Sequence, residues 1–193
     1  MTKLSVNVNK IATLRNARGQ NIPNLELVTQ SIIDFGSDGI TIHPRPDERH
    51  IQYTDIQPLS QITSNKVEFN IEGFPSDKFL KMIFDIKPDQ VTLVPDSPDV
   101  LTSLNGWDVI KHSKKLKPII RDLQAHDIRV SLFIHPELDM VKKAAELNSD
   151  RIELFTGLYA HDAQTLESYI KCSECAKTCG LGINAGHDLN LDN

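Results

Sequence analysis

Histidine and arginine residues are concentrated in residues 38–50, directly after a short apolar strand pattern. Ile40-Thr-Ile42 favours a pleated, half-buried strand, and Pro44 and Pro46 favour an extended exit from it. The loop beyond the strand then carries His43, Arg45, Arg49 and His50. Imidazoles transfer protons near neutral pH, and guanidinium groups bind phosphate or carboxylate oxygens in pairs. The segment therefore predicts a site for a phosphorylated or carboxylated small molecule.

Two glutamates occupy strand patterns on which polar side chains should share one face. Residues 67–72 alternate between apolar and polar types, which places Glu72 nearest the end of the polar side. There Glu72 is either a general acid or base or a solvated strand-end carboxylate. Glu153 lies between Ile152 and Leu154, which indicates an inward-facing carboxylate. Burying an unpaired carboxylate is costly, so Glu153 serves a structural ion pair or a reaction.

A second histidine, His187, lies just past the end of another strand pattern. The preceding Asn184-Ala-Gly186 supplies small residues that let a ligand approach the backbone. His43 and His187 could act as proton acceptor and donor. Four other histidines lie in helical or loop contexts and are expected at the surface: His112, His126, His135 and His161.

Short apolar strand patterns recur along the chain with helical patterns between them. The predicted strands are 4–8, 39–43, 67–71, 91–94, 130–134, 152–155 and 182–185. The predicted helices are 24–35, 54–62, 76–86, 113–126, 137–147 and 163–179, with a long loop at 96–112. Such alternation predicts a parallel sheet with helical crossovers. No glycine-rich turn follows the first strand, and polar residues end nearly every strand, which favours a (β/α)₈ TIM barrel over a doubly wound sheet.

Length and composition are those of one ordinary domain, residues 1–193. The net charge of −5, with both signs interspersed, argues against a nucleic-acid partner, and no apolar run is long enough to span a membrane. We therefore expect a cytoplasmic protein.

Three cysteines, Cys172, Cys175 and Cys179, form one stripe of a predicted helix. Their odd number within eight residues argues against a disulfide framework, and we expect them to pack in the core. An iron–sulfur or metal protein built on this stripe is the alternative. The carboxylates and histidines lack zinc-site spacing, so no metal is expected there. The basic side chains Lys10, Arg15, Arg18, Arg45 and Arg49 instead favour phosphate.

Several motifs, in order along the whole chain, resemble the pyridoxine 5′-phosphate synthase family of vitamin B6 biosynthesis. They include residues 6–19, Asp38-Gly-Ile-Thr-Ile-His-Pro-Arg45 with Arg49-His50, Phe69-Asn-Ile-Glu72, residues 152–157 and Asn184-Ala-Gly-His187. The resemblance implies a TIM barrel that forms homo-oligomers and uses no cofactor. It also implies the reaction: condensation of 1-deoxy-D-xylulose 5-phosphate with 3-amino-2-oxopropyl phosphate, which releases phosphate and water.

The resemblance also implies residue roles. His43 and Glu72 would be proton acceptors, His187 the proton donor, and Glu153 the group that stabilises a cationic transition state. The aminoketone phosphate would bind Asn7 and Arg18, and the backbone amide of Asp188 would serve a phosphate. The deoxyxylulose phosphate would bind Asn9, Lys10, Arg45, His50 and Thr102.

The chain departs from the family pattern at three places. Asn9-Lys10 stands where many members carry aspartate and histidine, and Asp188 stands where a glycine is frequent. The sequence supplies seven of the eight strands and ends at Asn193, so a C-terminal truncation is expected. The alternatives are a phosphosugar-binding fragment without turnover, or another phosphosugar-handling barrel such as an isomerase or aldolase.

Overall fold

The computed structural model describes residues 1–96 and 105–193. Within these residues, seven strands alternate with helices, as the sequence predicts. The strands are β1 (Ser5–Asn7), β2 (Gly39–Ile42), β3 (Glu68–Gly73), β4 (Gln90–Leu93), β5 (Arg129–Ile134), β6 (Arg151–Phe155) and β7 (Gly182–Gly186). The helices are α1 (Asn9–Arg18), α2 (Leu25–Asp34), α3 (Tyr53–Thr63), α4 (Asp77–Ile86), α5 (Val109–Gln124), α6 (Leu138–Glu146), α7 (Gly157–His161) and α8 (Leu166–Thr178).

The chain divides into two compact units, Met1–Val91 and Thr92–Asn193. In the first unit β1 pairs with β2, and β2 with β3, all in parallel. A row of polar side chains links the same face of these strands and the start of β4. Ser5 and Thr41 share a 2.7 Å hydrogen bond, Asn70 donates to Thr41 over 3.3 Å, and Gln90 donates to Asn70 over 3.2 Å. The opposite faces of β2 and β3 carry apolar side chains such as Ile40 and Phe69, which are buried.

In the second unit β5 pairs with β6, and β6 with β7, again in parallel. Trp107 fixes the segment before α5: its backbone N–H donates to the Phe133 carbonyl over 2.8 Å, and its indole N–H donates to the Leu93 carbonyl over 3.0 Å. The core of this unit includes the cluster of Val94, Phe133 and Phe155.

Two helices were absent from the sequence-based prediction. Helix α1 was missed because its helical pattern buries only Ala12 and Arg15, so its apolar periodicity is weak. Helix α7 has only five residues, too few to show a period. Helix α5 begins at Val109 rather than at residue 113. Asp108 caps this earlier start, because its side chain accepts a hydrogen bond from the Lys111 N–H. The predicted helix 163–179 opens with a 3₁₀ turn (Ala163–Thr165) and ends at Thr178.

Candidate active site

His43 and Glu72 face each other at the carboxyl ends of β2 and β3. The register pairs Ile42 with Ile71, so the next residue on each strand is brought side by side. The His43 Nδ1 and the Glu72 Oε2 lie 3.7 Å apart, and both side chains are largely buried. The alternation in the sequence correctly predicted that Glu72 lies on the polar face of β3.

The environment of His43 favours the neutral imidazole. Burial is the largest cause, and the positive charge of Arg45 adds to it, followed by smaller contributions from His50 and Arg49. Together they lower the pKa of His43 to about 3. A histidine that is neutral at physiological pH is in the form that accepts a proton.

The loop that follows β2 is positively charged. Arg45 is buried, and burial together with the charges of Arg45 and Arg49 lowers the pKa of His50. The His50 Nδ1 is buried and has no hydrogen-bond partner among the residues that the structure describes. A buried ring nitrogen without a partner is costly, and a ligand that supplies one removes that cost. The Arg49 Nε lies 2.7 Å from the Oδ2 of the exposed Asp47, and this ion pair is at the rim of the loop.

Helix α1 carries three of the predicted substrate-binding residues, Asn9, Lys10 and Arg18, and Asn7 ends β1 just before it. The Asn9 side chain accepts a 2.9 Å hydrogen bond from the His43 backbone N–H, so it fixes the end of β2. The Asn7 side chain in turn accepts from the Asn9 backbone N–H at 2.9 Å. Lys10 and Arg18 are exposed at opposite ends of the helix, eight residues or about 12 Å apart. Such a spacing suits two separate phosphate groups better than one.

Arg15 does not serve a phosphate, contrary to the sequence-based prediction. Its guanidinium makes a two-pronged ion pair with the Asp55 carboxylate at 2.6 and 2.9 Å, and both side chains are largely buried. It also donates to the His50 carbonyl over 3.3 Å, and the Asn16 amide donates to the same oxygen over 2.8 Å. Arg15, Asn16 and Asp55 together hold the basic loop in place. No local sequence pattern indicates these three residues, because each contact joins segments over 30 residues apart.

Glu153 lies on β6 in the second unit. Thr92 donates to its Oε2 over 3.3 Å. The Glu153 side chain is partly accessible to solvent but is densely surrounded by protein atoms, and this desolvation raises the pKa of Glu153 to about 7. Gly186 lets β7 approach closely, since a Cβ there would lie 3.3 Å from the Glu153 Oε1. Whether Glu153 serves a structural ion pair or the reaction stays a prediction.

His187 follows β7 directly. Its ring packs edge-on against Phe155, with 5.0 Å between ring centroids, and its Nδ1 lies 2.8 Å from the Asp188 Oδ2. The Asp188 carboxylate is therefore turned toward the histidine. His135, expected at the surface, is half-buried and also packs edge-on against Phe155 at 5.6 Å. Thr102 lies outside the described residues.

The cysteine stripe is only partly a core feature. Cys172 is buried, Cys175 is partly exposed, and Cys179 is exposed just beyond the end of α8. Burial raises the pKa of the Cys172 thiol to about 11, which makes it unreactive. Within residues 1–96 and 105–193, no three His, Cys, Asp or Glu side chains are grouped to hold a metal ion. Over the same residues, no helix is both long and apolar enough to cross a membrane.

Residues 4–193 match the family described as pyridoxal phosphate biosynthesis protein PdxJ. The chain belongs to the PdxJ family. It is 52% identical to the pyridoxine 5′-phosphate synthase of Flavobacterium johnsoniae, a match that covers 100% of this chain and 83% of that protein. It is also 52% identical to the pyridoxine 5′-phosphate synthase of Porphyromonas gingivalis, covering 100% of this chain and 82% of the relative. The PdxJ resemblance read from the sequence motifs is confirmed.

Solved structures confirm the fold of this PdxJ chain. A deoxyribose phosphate aldolase from Aeropyrum pernix superposes with a TM-score of 0.61 at 13% identity, over 95% of this chain and 74% of the aldolase. A tryptophan synthase α-subunit from Pyrococcus furiosus gives a TM-score of 0.57 at 12% identity, over 84% of this chain and 72% of the other. At such identities these neighbours establish the fold alone, and that fold is a TIM-barrel-like α/β fold with seven parallel strands.

Proposed function

We propose that the protein is a pyridoxine 5′-phosphate synthase. It condenses 1-deoxy-D-xylulose 5-phosphate with 3-amino-2-oxopropyl phosphate to give pyridoxine 5′-phosphate, phosphate and water. Family membership supports the activity, and the observation that carries the residue assignment is the neutral His43 beside Glu72 at the edge of a basic loop. No metal or organic cofactor is assigned a step.

The chemistry requires several proton transfers, and the proposed residues divide them. The amine adds to a ketone and loses water to form an imine, and further proton removals and returns precede ring closure. His43 and Glu72 accept protons, and His187 donates one. Glu153 stabilises the cationic stage, because a carboxylate beside a cation is favoured in the ionised form. Each positioned acid or base contributes about 10² to 10⁴-fold in rate.

The substrates are anionic, and the proposed binding residues supply positive charge and hydrogen-bond donors. For the deoxyxylulose phosphate they are Asn9, Lys10, Arg45, His50 and Thr102. For the aminoketone phosphate they are Asn7, Arg18 and the backbone amide of Asp188. The protein is proposed to act as a cytoplasmic homo-oligomer.

The test is incubation of the purified protein with both substrates. We expect equal amounts of inorganic phosphate and of the pyridoxine phosphate chromophore. His43→Asn and Glu72→Gln should each lower kcat by about 10² to 10⁴-fold. His126→Asn is the matched control, because the His126 ring is exposed just beyond the end of α5 and its Nδ1 bonds the Asp122 carbonyl. Calorimetric binding of deoxyxylulose phosphate without any phosphate release would instead indicate a binding protein.

A further inference from the structure

Thr156 joins the end of β6 to the end of β7. Its backbone N–H donates to the Gly186 carbonyl over 3.1 Å, and its hydroxyl donates to the His187 carbonyl over 2.5 Å. Thr156 is buried and precedes α7, whose first residue is Gly157. Two successive carbonyls on either side of the His187 Cα are thus held by one residue of the neighbouring strand.

The backbone that Thr156 holds is in an unfavourable conformation. His187 has a φ of 101° and Asp188 a φ of 57°, although neither residue is glycine. A non-glycine residue in such a conformation is strained and persists only where surrounding contacts impose it. The Thr156 hydroxyl supplies such a contact at the carbonyl that joins the two residues.

This backbone conformation determines where the His187 imidazole points. In the described residues, the His187 ring has two contacts, the Phe155 ring and the Asp188 carboxylate. Phe155 directly precedes Thr156, and Asp188 directly follows His187, so both contacts lie next to the residues that the Thr156 hydroxyl bond joins. If the peptide after His187 turned, the carboxylate of Asp188 would turn with it. The ring would then lose the partner that fixes its Nδ1.

We propose that Thr156 is a positioning residue for His187, and that its hydroxyl sets the direction of the imidazole by holding the His187 carbonyl. The inference rests on the proposed function, in which His187 donates a proton. Thr156 itself touches neither substrate in this account. The hydroxyl acts through the backbone, so a serine in its place should serve equally well.

The test compares Thr156→Val, which keeps the shape and the backbone N–H but removes the hydroxyl, with Thr156→Ser, which keeps the hydroxyl. We expect Thr156→Val to lower kcat by about 10²-fold with little change in KM, since small misplacements of a reacting group cost that much. Thr156→Ser should retain most of the activity. Thr178→Val is the matched control, because the Thr178 hydroxyl also donates to a carbonyl but lies exposed on α8.

A second measurement separates this inference from the proposed function. The imidazole resonances of His187, assigned with His187→Asn, should shift in Thr156→Val and stay unchanged in Thr156→Ser and Thr178→Val. If wild-type protein shows no turnover, the proposed function fails and the resonances still decide the role of Thr156. Should Thr156→Val not fold, Thr156→Ala compared with Thr156→Ser replaces it. Unchanged resonances and kcat in the hydroxyl-free variant, or equal losses in the serine variant, would overturn the proposal.

Discussion

Burial acts on His43 and Glu153 in opposite directions and favours the neutral form of each. The pKa of His43 falls to about 3 and that of Glu153 rises to about 7, with desolvation as the largest cause in both cases. Both are poised to gain charge when a charged ligand arrives, because a nearby opposite charge offsets the cost of desolvation. The sequence singled out His43 by its place at a strand end and Glu153 by its apolar neighbours, but the sign and size of each shift depend on packing that no local pattern encodes.

Phosphate binding should raise the pKa of His43. Arg45, His50 and Arg49 lower it through their positive charges, and a phosphate dianion among these residues would offset those charges. The titration of the His43 ring protons by NMR, with and without inorganic phosphate, measures the effect. A His43 titration that phosphate leaves unmoved would place the anion elsewhere.

Replacing Glu153 with glutamine should stabilise the protein at alkaline pH. Because the folded-state pKa is raised to about 7 from the ordinary 4.5, the folded state binds the proton more tightly than the unfolded state. Stability from this group is therefore full below pH 4.5, falls as the pH rises to about 7, and is then constant. The total loss is roughly 3 kcal/mol at most.

Glu153→Gln lacks this loss, so its melting temperature should match that of the wild type at pH 4.5 and exceed it at pH 8. Glu174→Gln is the control, because Glu174 is exposed on α8. A Glu153→Gln variant that is less stable than the wild type at pH 8 would show that the ionised carboxylate contributes to folding.

At the scale of elements, the sequence identified all seven strands within about two residues, because each is a short apolar run bounded by turn residues. It did not identify α1, the helix that carries Lys10 and Arg18, because that helix buries little surface of its own. Its position depends on contacts with distant segments. Those contacts include the ion pair between Arg15 of α1 and Asp55 of α3.

Breaking this ion pair should loosen α1 and the basic loop together. Asp55→Ala leaves the buried Arg15 guanidinium without its carboxylate and also removes the acceptor of the Gln52 backbone N–H at 2.7 Å. We expect a loss of about 3 to 5 kcal/mol in the free energy of unfolding, measured by urea denaturation. Asp47→Ala, which breaks the exposed pair with Arg49, should cost about 1 kcal/mol or less. Equal losses in the two variants would contradict the structural role of the Arg15 pair.

At the scale of the whole molecule, the alternation of strands and helices predicted a parallel α/β fold, because such alternation admits few topologies. The barrel was favoured by the missing glycine-rich turn after the first strand and by the polar residues at the strand ends. The surface was less predictable from sequence, since periodicity indicates which face of a helix is apolar and not what covers it. On α2, Leu27 is 68% exposed, and Phe35 at its C-terminal end is 89% exposed. They lie eight residues apart, which separates them by about 80° around the helix axis, within the width of one apolar helix face.

We expect these two side chains to be covered by a second copy of the chain. Exposed apolar side chains that share one helix face are typical of association surfaces. Light scattering should give a molar mass that is a multiple of the protomer mass, and Leu27→Lys combined with Phe35→Lys should reduce it. Leu166→Lys, on the exposed side of α8, is the control and should leave the mass unchanged. A wild-type protein with the mass of one protomer would disprove the homo-oligomer, whereas a loss of mass in Leu166→Lys alone would move the interface to α8.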